Sequence, residues 1–261
     1  MVVFFIEESD KNKIFKHLEV IEDKIIINKK VEKINKKDIN KINRILNNMK
    51  CNKVIISKKL KDNDILKKSF YSNNINIVNG KVLYKKLLEK IIEKTCKKND
   101  INPKECQIAF TVNYLDSNIK KIINNLSKIF KSISIVTNNI NEFKHIKEEL
   151  YNNEGIIITV TNNKRKALLK SALVVNYDFP EELINKYSIY DNSVIINTEE
   201  PIHIHKKRFN GKIINDYNIS LEKNSDIEIK LKKEKYQKFD IKDLTEIFIM
   251  QYPEEICNVI V

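Results

Sequence analysis

Residues 107–137 read QIAFTVNYLDSNIKKIINNLSKIFKSISIVT. Gln107–Val112 is a short apolar run, Asn118–Phe130 a helical pattern, and Ile133–Thr137 a second short run. Parallel neighbours in a sheet cannot be joined by a tight turn, so strand, helix, strand in this order predicts a crossover unit. The rhythm continues outward. Strands are expected at Ile156–Val160, Leu173–Asn176 and Val194–Asn197, with helical patterns at Glu142–Tyr151, Lys164–Lys170 and Glu181–Asn185. The strands are near-continuous in Ile and Val, as expected when both faces are covered. The middle third therefore predicts a doubly wound parallel sheet with helices on both faces.

Upstream, Val2–Ile6, Lys24–Ile27, Lys53–Ser57 and Ile75–Val78 read as strands. Asp38–Met49, Asp64–Tyr71 and Val82–Lys97 read as helices, the first with Asp38 in the capping position. Asn99-Asp100-Ile101-Asn102-Pro103 is a breaker cluster, and the charge changes there. The expected organisation is a basic N-terminal α/β domain (1–100) ending in a long connecting helix, the parallel-sheet domain (101–215) and a small β/α extension (216–261). In that extension Asn218–Leu221 and Ile227–Leu231 are β-like. Asp240 precedes a last helix running to about Met250 and ended by Pro253.

The chain has 261 residues, of which 42% are hydrophobic, so general disorder is excluded. Its formal charge is +13. Nearly all of that basic charge is lysine; Arg44, Arg165 and Arg208 are the three arginines. Abundant Lys, Asn and Ile with scarce Ala, Gly and Arg is what an AT-rich coding sequence produces. The distribution says more than the total. Residues 1–100 hold 25 basic and 13 acidic side chains, whereas residues 101–200 hold 12 of each. Such asymmetry is a sign of an anionic partner or substrate. Cys51, Cys96, Cys106 and Cys257 show neither Cys-x-x-Cys nor metal-ligand spacing. No run approaches a membrane span, and no secretory signal opens the chain. A reduced cytoplasmic protein is the expectation.

Residues about 106–200 resemble a Rossmann-type domain, in particular the NADP-binding domain of the shikimate dehydrogenase and glutamyl-tRNA reductase group. The likeness is carried by Ser-Ile-Ser-Ile-Val-Thr-Asn-Asn (132–139), where that group ends its second strand in a polar Asn-Arg-Thr-like segment. It is carried also by Ala-Leu-Val-Val-Asn-Tyr-Asp-Phe-Pro (172–180), at the Asn-containing turn after the fourth strand. The resemblance implies a Rossmann-like fold and an NADP site. Ligands of open parallel sheets bind beyond the carboxyl ends of the strands, near the switch in strand order. That rule nominates Asn113, Tyr114, Thr137, Asn138, Asn139 and Asp178 for cofactor contact, with Thr161 to Lys164, Tyr177 and Glu199 beside them.

The first turn departs from the family. Thr111-Val-Asn-Tyr-Leu-Asp-Ser-Asn118 contains no glycine, where Gly-x-Gly-x-x-Gly lets backbone N–H groups approach a pyrophosphate. Tyr114 and Leu115 obstruct that approach and Asp116 repels phosphate, while Asp116 and Ser117 suit a helix cap. The Asn-Val-Thr-x-Pro-x-Lys stretch of shikimate dehydrogenases is missing. Met49-Lys50-Cys51-Asn52-Lys53 shares only Cys-Asn and a base with the reductase nucleophile motif, so Cys51 is read as a small buried residue.

Two clusters can contact anions. Lys164 and Arg165 follow the third central strand after Asn163, a cap for the next helix. Lys206, Lys207 and Arg208 follow His203 and His205, an imidazole pair without an identifiable third metal ligand. No metal site is expected. The leading expectation is a ligand-binding or regulatory protein on a degenerate dinucleotide-binding fold, with a small anionic ligand. Its rivals are an NADP-dependent reductase acting on a small anionic substrate and a nucleic-acid binder using the basic N-terminal domain.

Overall fold

A computed structural model describes residues 3–9, 18–221, 223, 226–248 and 256–261. The elements begin with β1 (Val3–Glu8), β2 (Leu18–Ile21), β3 (Lys24–Ile27), α1 (Lys36–Asn48), β4 (Lys53–Ile56), α2 (Asp64–Ser72) and β5 (Asn76–Ile77). There follow α3 (Lys81–Lys86), α4 (Leu88–Lys98), β6 (Gln107–Thr111), α5 (Ser117–Ser127), β7 (Ser132–Val136), α6 (Ile140–Glu154) and β8 (Thr159–Thr161). The remainder is β9 (Ser171–Asn176), α7 (Glu181–Ile184), β10 (Val194–Asn197), β11 (Lys212–Ile214), β12 (Asn218–Leu221), α8 (Asp226–Leu231), α9 (Ile241–Phe248) and β13 (Ile256–Ile260).

The chain divides into two compact units: residues 1–82 with 221–257, and 83–220 with 258–261. The first boundary thus precedes the expected connecting helix instead of following it. That helix is two, α3 and α4, meeting at Leu87. Residues 221–257 cluster with the first unit instead of forming a separate extension.

In the first unit the sheet order is β2-β3-β1-β4-β5, parallel except for β2. Alternate residues of each strand face opposite ways. Phe4, Ile6, Ile25, Ile27, Val54 and Ile56 form one buried cluster with Ile39, Ile42 and Leu46 of α1 and Leu66 and Phe70 of α2. Phe5 and Ile55 join Tyr236, Phe239, Leu244 and Phe248 in another. The Phe5 ring lies 5.4 Å from both Tyr236 and Phe239. The C-terminal segment belongs to this unit because it covers apolar side chains that the strands would otherwise present to water.

Asn35, not Asp38, caps α1: its side chain accepts from the N–H of Lys37 and Asp38, and Asp38 reaches back to the Asn35 N–H in a capping box. Residues 227–231, expected as β, lie in α8. Six residues are too few to separate a period of two from one of 3.6, and Ile229 is 53% exposed, so the alternation marks no buried face. Val2, Met250 and Pro253 lie outside the described residues.

The second unit holds six strands in the order β11-β10-β9-β6-β7-β8, all parallel. Numbered within the unit this is 3-2-1-4-5-6, the doubly wound Rossmann-type order, with the switch between β6 and β9. Ala109, Val136, Val174 and Ile195 share a buried cluster with Leu168, Phe179, Ile184, Tyr187 and Ile202 of the connections. Only one short helix, α7, lies in those connections; Lys164–Lys170, expected as helix, is turns and an isolated bridge from Leu168 to Ile189. Geometry explains the difference. Nine residues join β8 to β9, three strand positions away. Steps of about 4.8 Å and a strand length of about 16 Å place those ends roughly 22 Å apart. Nine helical residues reach only about 14 Å, so a single helix cannot span the segment. Gly211 is needed at the start of β11, because a Cβ there would stand 2.0 Å from the Ser193 carbonyl oxygen.

Candidate functional site

The switch point lies beyond the carboxyl ends of β6 and β9, where Asn113 and Asp178 face each other. The Asp178 carboxylate accepts from the backbone N–H of Asn113 at 2.7 and 2.9 Å and from that of Tyr114 at 2.8 Å. The next N–H, that of Leu115, donates to Glu142 Oε1 at 3.3 Å. Successive N–H groups at a strand-to-helix turn are the anion cradle of dinucleotide-binding folds. Here the protein's own carboxylates occupy it. Asp116 then caps α5 through the Ile119 N–H at 2.8 Å and accepts a hydrogen bond from the Tyr177 hydroxyl on Oδ2 at 2.7 Å.

All six nominated cofactor residues meet at this place. Asn113 Oδ1 accepts from the Asn138 N–H and its carbonyl accepts from Asn139 Nδ2, while Thr137 Oγ1 holds the Asn139 N–H. The two turns after β6 and β7 are therefore laced to each other. The polar groups nominated for a cofactor satisfy one another, with Tyr114 left as a side chain 73% exposed.

Lys85 of α3 lies 4.4 Å above the Tyr177 ring and is ion-paired to Glu199. Burial pushes the Tyr177 hydroxyl well above the usual phenol range, so it stays a proton donor to Asp116 at neutral pH. Burial also raises the Asp178 carboxyl; its two N–H donors and Lys85 oppose that rise, and Glu199 adds to it.

Beneath the turns runs an amide ladder that sequence reasoning missed. Thr111, Asn176 and Asn197 are in register at the ends of β6, β9 and β10, and all are buried. Asn176 Oδ1 accepts from Thr111 Oγ1 at 2.6 Å and the Phe179 N–H at 3.2 Å. Its Nδ2 donates to the Phe179 carbonyl and Asn197 Oδ1. Asn197 Nδ2 continues to the Glu200 carbonyl and to Asn215 Oδ1, which also takes the Ile202 N–H. Asn176 uses both donors and both acceptor sites, so it is an internal strut with nothing left for a ligand. The signal was present: β9 and β10 end apolar-apolar-Asn, at 174–176 and 195–197, and Asn215 directly follows the apolar pair 213–214 that ends β11.

Above the ladder, the loops after β9 and β10 enclose a cleft of about 410 Å³ lined by Asp178, Glu181, Glu182, Glu199, Glu200 and the apolar Phe179, Pro180, Pro201 and Ile202. Five carboxylates on one rim disfavour a phosphate ester. Glu181 also answers the imidazole pair: His205 Nε2 lies 2.7 Å from its Oε1 and His203 Nδ1 3.6 Å from its Oε2. The hydrogen bond with His205 holds the Glu181 carboxyl below its ordinary value. Among the described residues no group of three His, Cys, Asp or Glu side chains is arranged to hold a metal ion.

Both basic clusters border the Tyr187–Ser188 segment. The Ser188 N–H donates to the Lys164 carbonyl at 2.7 Å, and the Lys206 ammonium donates to the Tyr187 carbonyl. Asn163 caps a turn instead of a helix, accepting from the N–H of Arg165 and Lys166. Cys51 is buried, with Sγ 3.0 Å from the Lys53 carbonyl. Among the described residues no helix is long and apolar enough to cross a membrane.

Neither a protein-family model nor a curated protein matches the sequence. Solved structures of similar chain path include L-tryptophan dehydrogenase from Nostoc punctiforme, at 9% identity and TM-score 0.33, covering 67% of this chain and 50% of that one. The chain thus matches half the length of that enzyme. D-mandelate dehydrogenase from Rhodotorula graminis has 11% identity and TM-score 0.33, covering 80% of this chain and 75% of that one. A putative aspartate carbamoyltransferase from Trypanosoma cruzi has 9% identity and TM-score 0.30, covering 81% and 72%. At these values the likeness carries no argument about activity; the Rossmann-like assignment rests on strand order and direction.

Proposed function

We propose that the chain is a ligand-binding or regulatory protein built on a degenerate dinucleotide-binding fold, and that its first turn has exchanged pyrophosphate binding for an internal carboxylate. The observation that supports this reading is the pair of N–H groups of Asn113 and Tyr114 held by Asp178. A diphosphate at this turn would have to displace a carboxylate already bonded to the same donors. The further likeness to the shikimate dehydrogenase and glutamyl-tRNA reductase group rests on the segments 132–139 and 172–180, and the NADP chemistry of that group has no glycine turn here to receive it. The ligand this reading favours in the cleft beside Asp178 is a small molecule without a phosphate.

Calorimetric titration with NADPH tests it. No saturable heat up to millimolar NADPH is the expected outcome. Saturable binding at tens of micromolar or tighter would overturn this reading and favour the reductase reading in its place.

A further inference from the structure

The second unit carries 22 basic and 16 acidic side chains, and the two signs are segregated. The carboxylates of its cleft come from the strand-end loops. The three connections 162–170, 185–193 and 203–212 carry nine basic residues and one acid, Asp191. They belong together: Lys164 and Lys206 are both bonded to the Tyr187–Ser188 segment, Leu168 bridges to Ile189, and the Asn210 N–H donates to the Asp191 carbonyl at 2.8 Å. Residues from all three connections join the same buried cluster.

We infer that this face binds the phosphodiester backbone of a nucleic acid. Four observations carry the assignment. The sequence separates its basic clusters by about forty residues, and the fold brings them to one surface. Lys164, Arg165, Lys166, Lys186, Lys207 and Arg208 are exposed and form no ion pair among the described residues. Arg165 and Arg208 are two of only three arginines in a chain that otherwise uses lysine, and guanidinium is the group that grips phosphate bidentately. Tyr190, on the connection between them, is 43% exposed and offers a ring for a base. An anionic bilayer is the poorer partner, because the surface-bound state needs a row of apolar side chains. On these connections Leu169 and Tyr190 are the large apolar groups with substantial exposure. The inference is independent of whether NADPH binds at the first turn, and it places the nucleic-acid surface on the second unit instead of the basic N-terminal domain.

Fluorescence anisotropy with a labelled oligouridine of about 20 nucleotides tests it on the full chain. The wild type is expected to bind with an affinity that falls as salt rises from about 50 to about 200 mM. Replacing both arginines (Arg165→Ala with Arg208→Ala) is expected to weaken binding about tenfold and to flatten the log–log salt slope by about 1.4, two contacts at about 0.7 each. The control pair Lys41→Ala with Arg44→Ala removes the same charge from exposed positions of the first unit, and is expected to change affinity less than about twofold. Equal losses in the two pairs would show undirected basicity and overturn the assignment. So would an absence of oligouridine binding, or retention on phosphatidylserine vesicles that matches or exceeds it.

Discussion

Two carboxylates, one in each unit, are held in different ways, Asp178 half-buried and Asp243 buried. Asp178 sits at the switch point of the parallel sheet, bonded to backbone N–H groups whose positions the strand and helix ends fix. Asp243 sits in α9 with its side chain fully buried, and its partner is the ammonium of Lys61, 2.6 Å from Oδ2. Among the described residues no backbone N–H or hydroxyl donates to it. Burial raises both carboxyls, and for Asp243 it does so up to about 6, with Asp240 and Glu246 adding repulsion that Lys61 only partly offsets. A carboxylate on fixed peptide dipoles behaves like a bound anion. One that depends on a single long side chain remains half a weak acid. The first closes the turn at the switch point of the sheet; the second is a structural element whose charge varies with pH.

The sharpest way to break that contrast is to remove the lysine. Lys61 bridges Asp240 and Asp243, so Lys61→Met leaves Asp243 buried beside Asp240 with no cation. Stranding a buried charge costs about 3–5 kcal/mol. Urea melts at pH 8 should show a loss of that size in the transition of the first unit, much of it recovered at pH 5 as Asp243 takes up a proton. An equal loss at both pH values would mean that the lysine acts through packing.

The complementary variant, Asp243→Asn, keeps the shape and removes the titration. The folded carboxyl titrates near 6 and the unfolded one near 4, so the native state holds the proton more tightly. The stability from that proton is complete below about pH 4 and is lost as pH rises through about 6. Two pH units correspond to on the order of 3 kcal/mol. Asp243→Asn should therefore match the wild type near pH 4 and gain on it by that order by pH 8. A constant difference across the range would place the Asp243 carboxyl at its ordinary value.

How much of this was legible depends on what each residue faces. Strands β6, β7, β9 and β10 are covered on both sides, so their Ile and Val runs announce them. Edge strand β2 (Leu18–Ile21) leaves Val20 and Ile21 largely exposed, and it went unseen. The first turn was legible in part: Asp116 does cap α5. Asp116 was the acid expected to repel phosphate, whereas Asp178, 65 residues beyond Asn113, holds the N–H groups. Only strand order brings those two positions together. The Asn ladder was hidden by composition, because an Asn-rich chain invites every Asn to be read as a loop residue. What separates Asn176, Asn197 and Asn215 from the rest is their recurrence at the same register position, visible only once the strands are aligned.

If Asp178 stands in for an anion, the cradle should outlast its removal. Asp178→Ala withdraws the acceptor from two backbone N–H groups, a loss of about 2 kcal/mol in the second unit. Those groups still converge, because Val112 remains paired to the Val136 carbonyl and Asn113 to the turn after β7. A small oxyanion then has a place to bind that the wild type denies it. Thermal melts in sulfate or phosphate should raise the variant's Tm more than that of the wild type, by several degrees at tens of millimolar, with chloride at matched ionic strength as the control. Asp178→Asn should fall between, since a carboxamide oxygen can serve one donor well but not both at carboxylate strength. If sulfate stabilises wild type and Asp178→Ala alike, the turn has lost its anion-binding geometry along with its glycines. Asp178 would then be a structural bond like that of Asp243, and the difference between the two carboxylates would disappear.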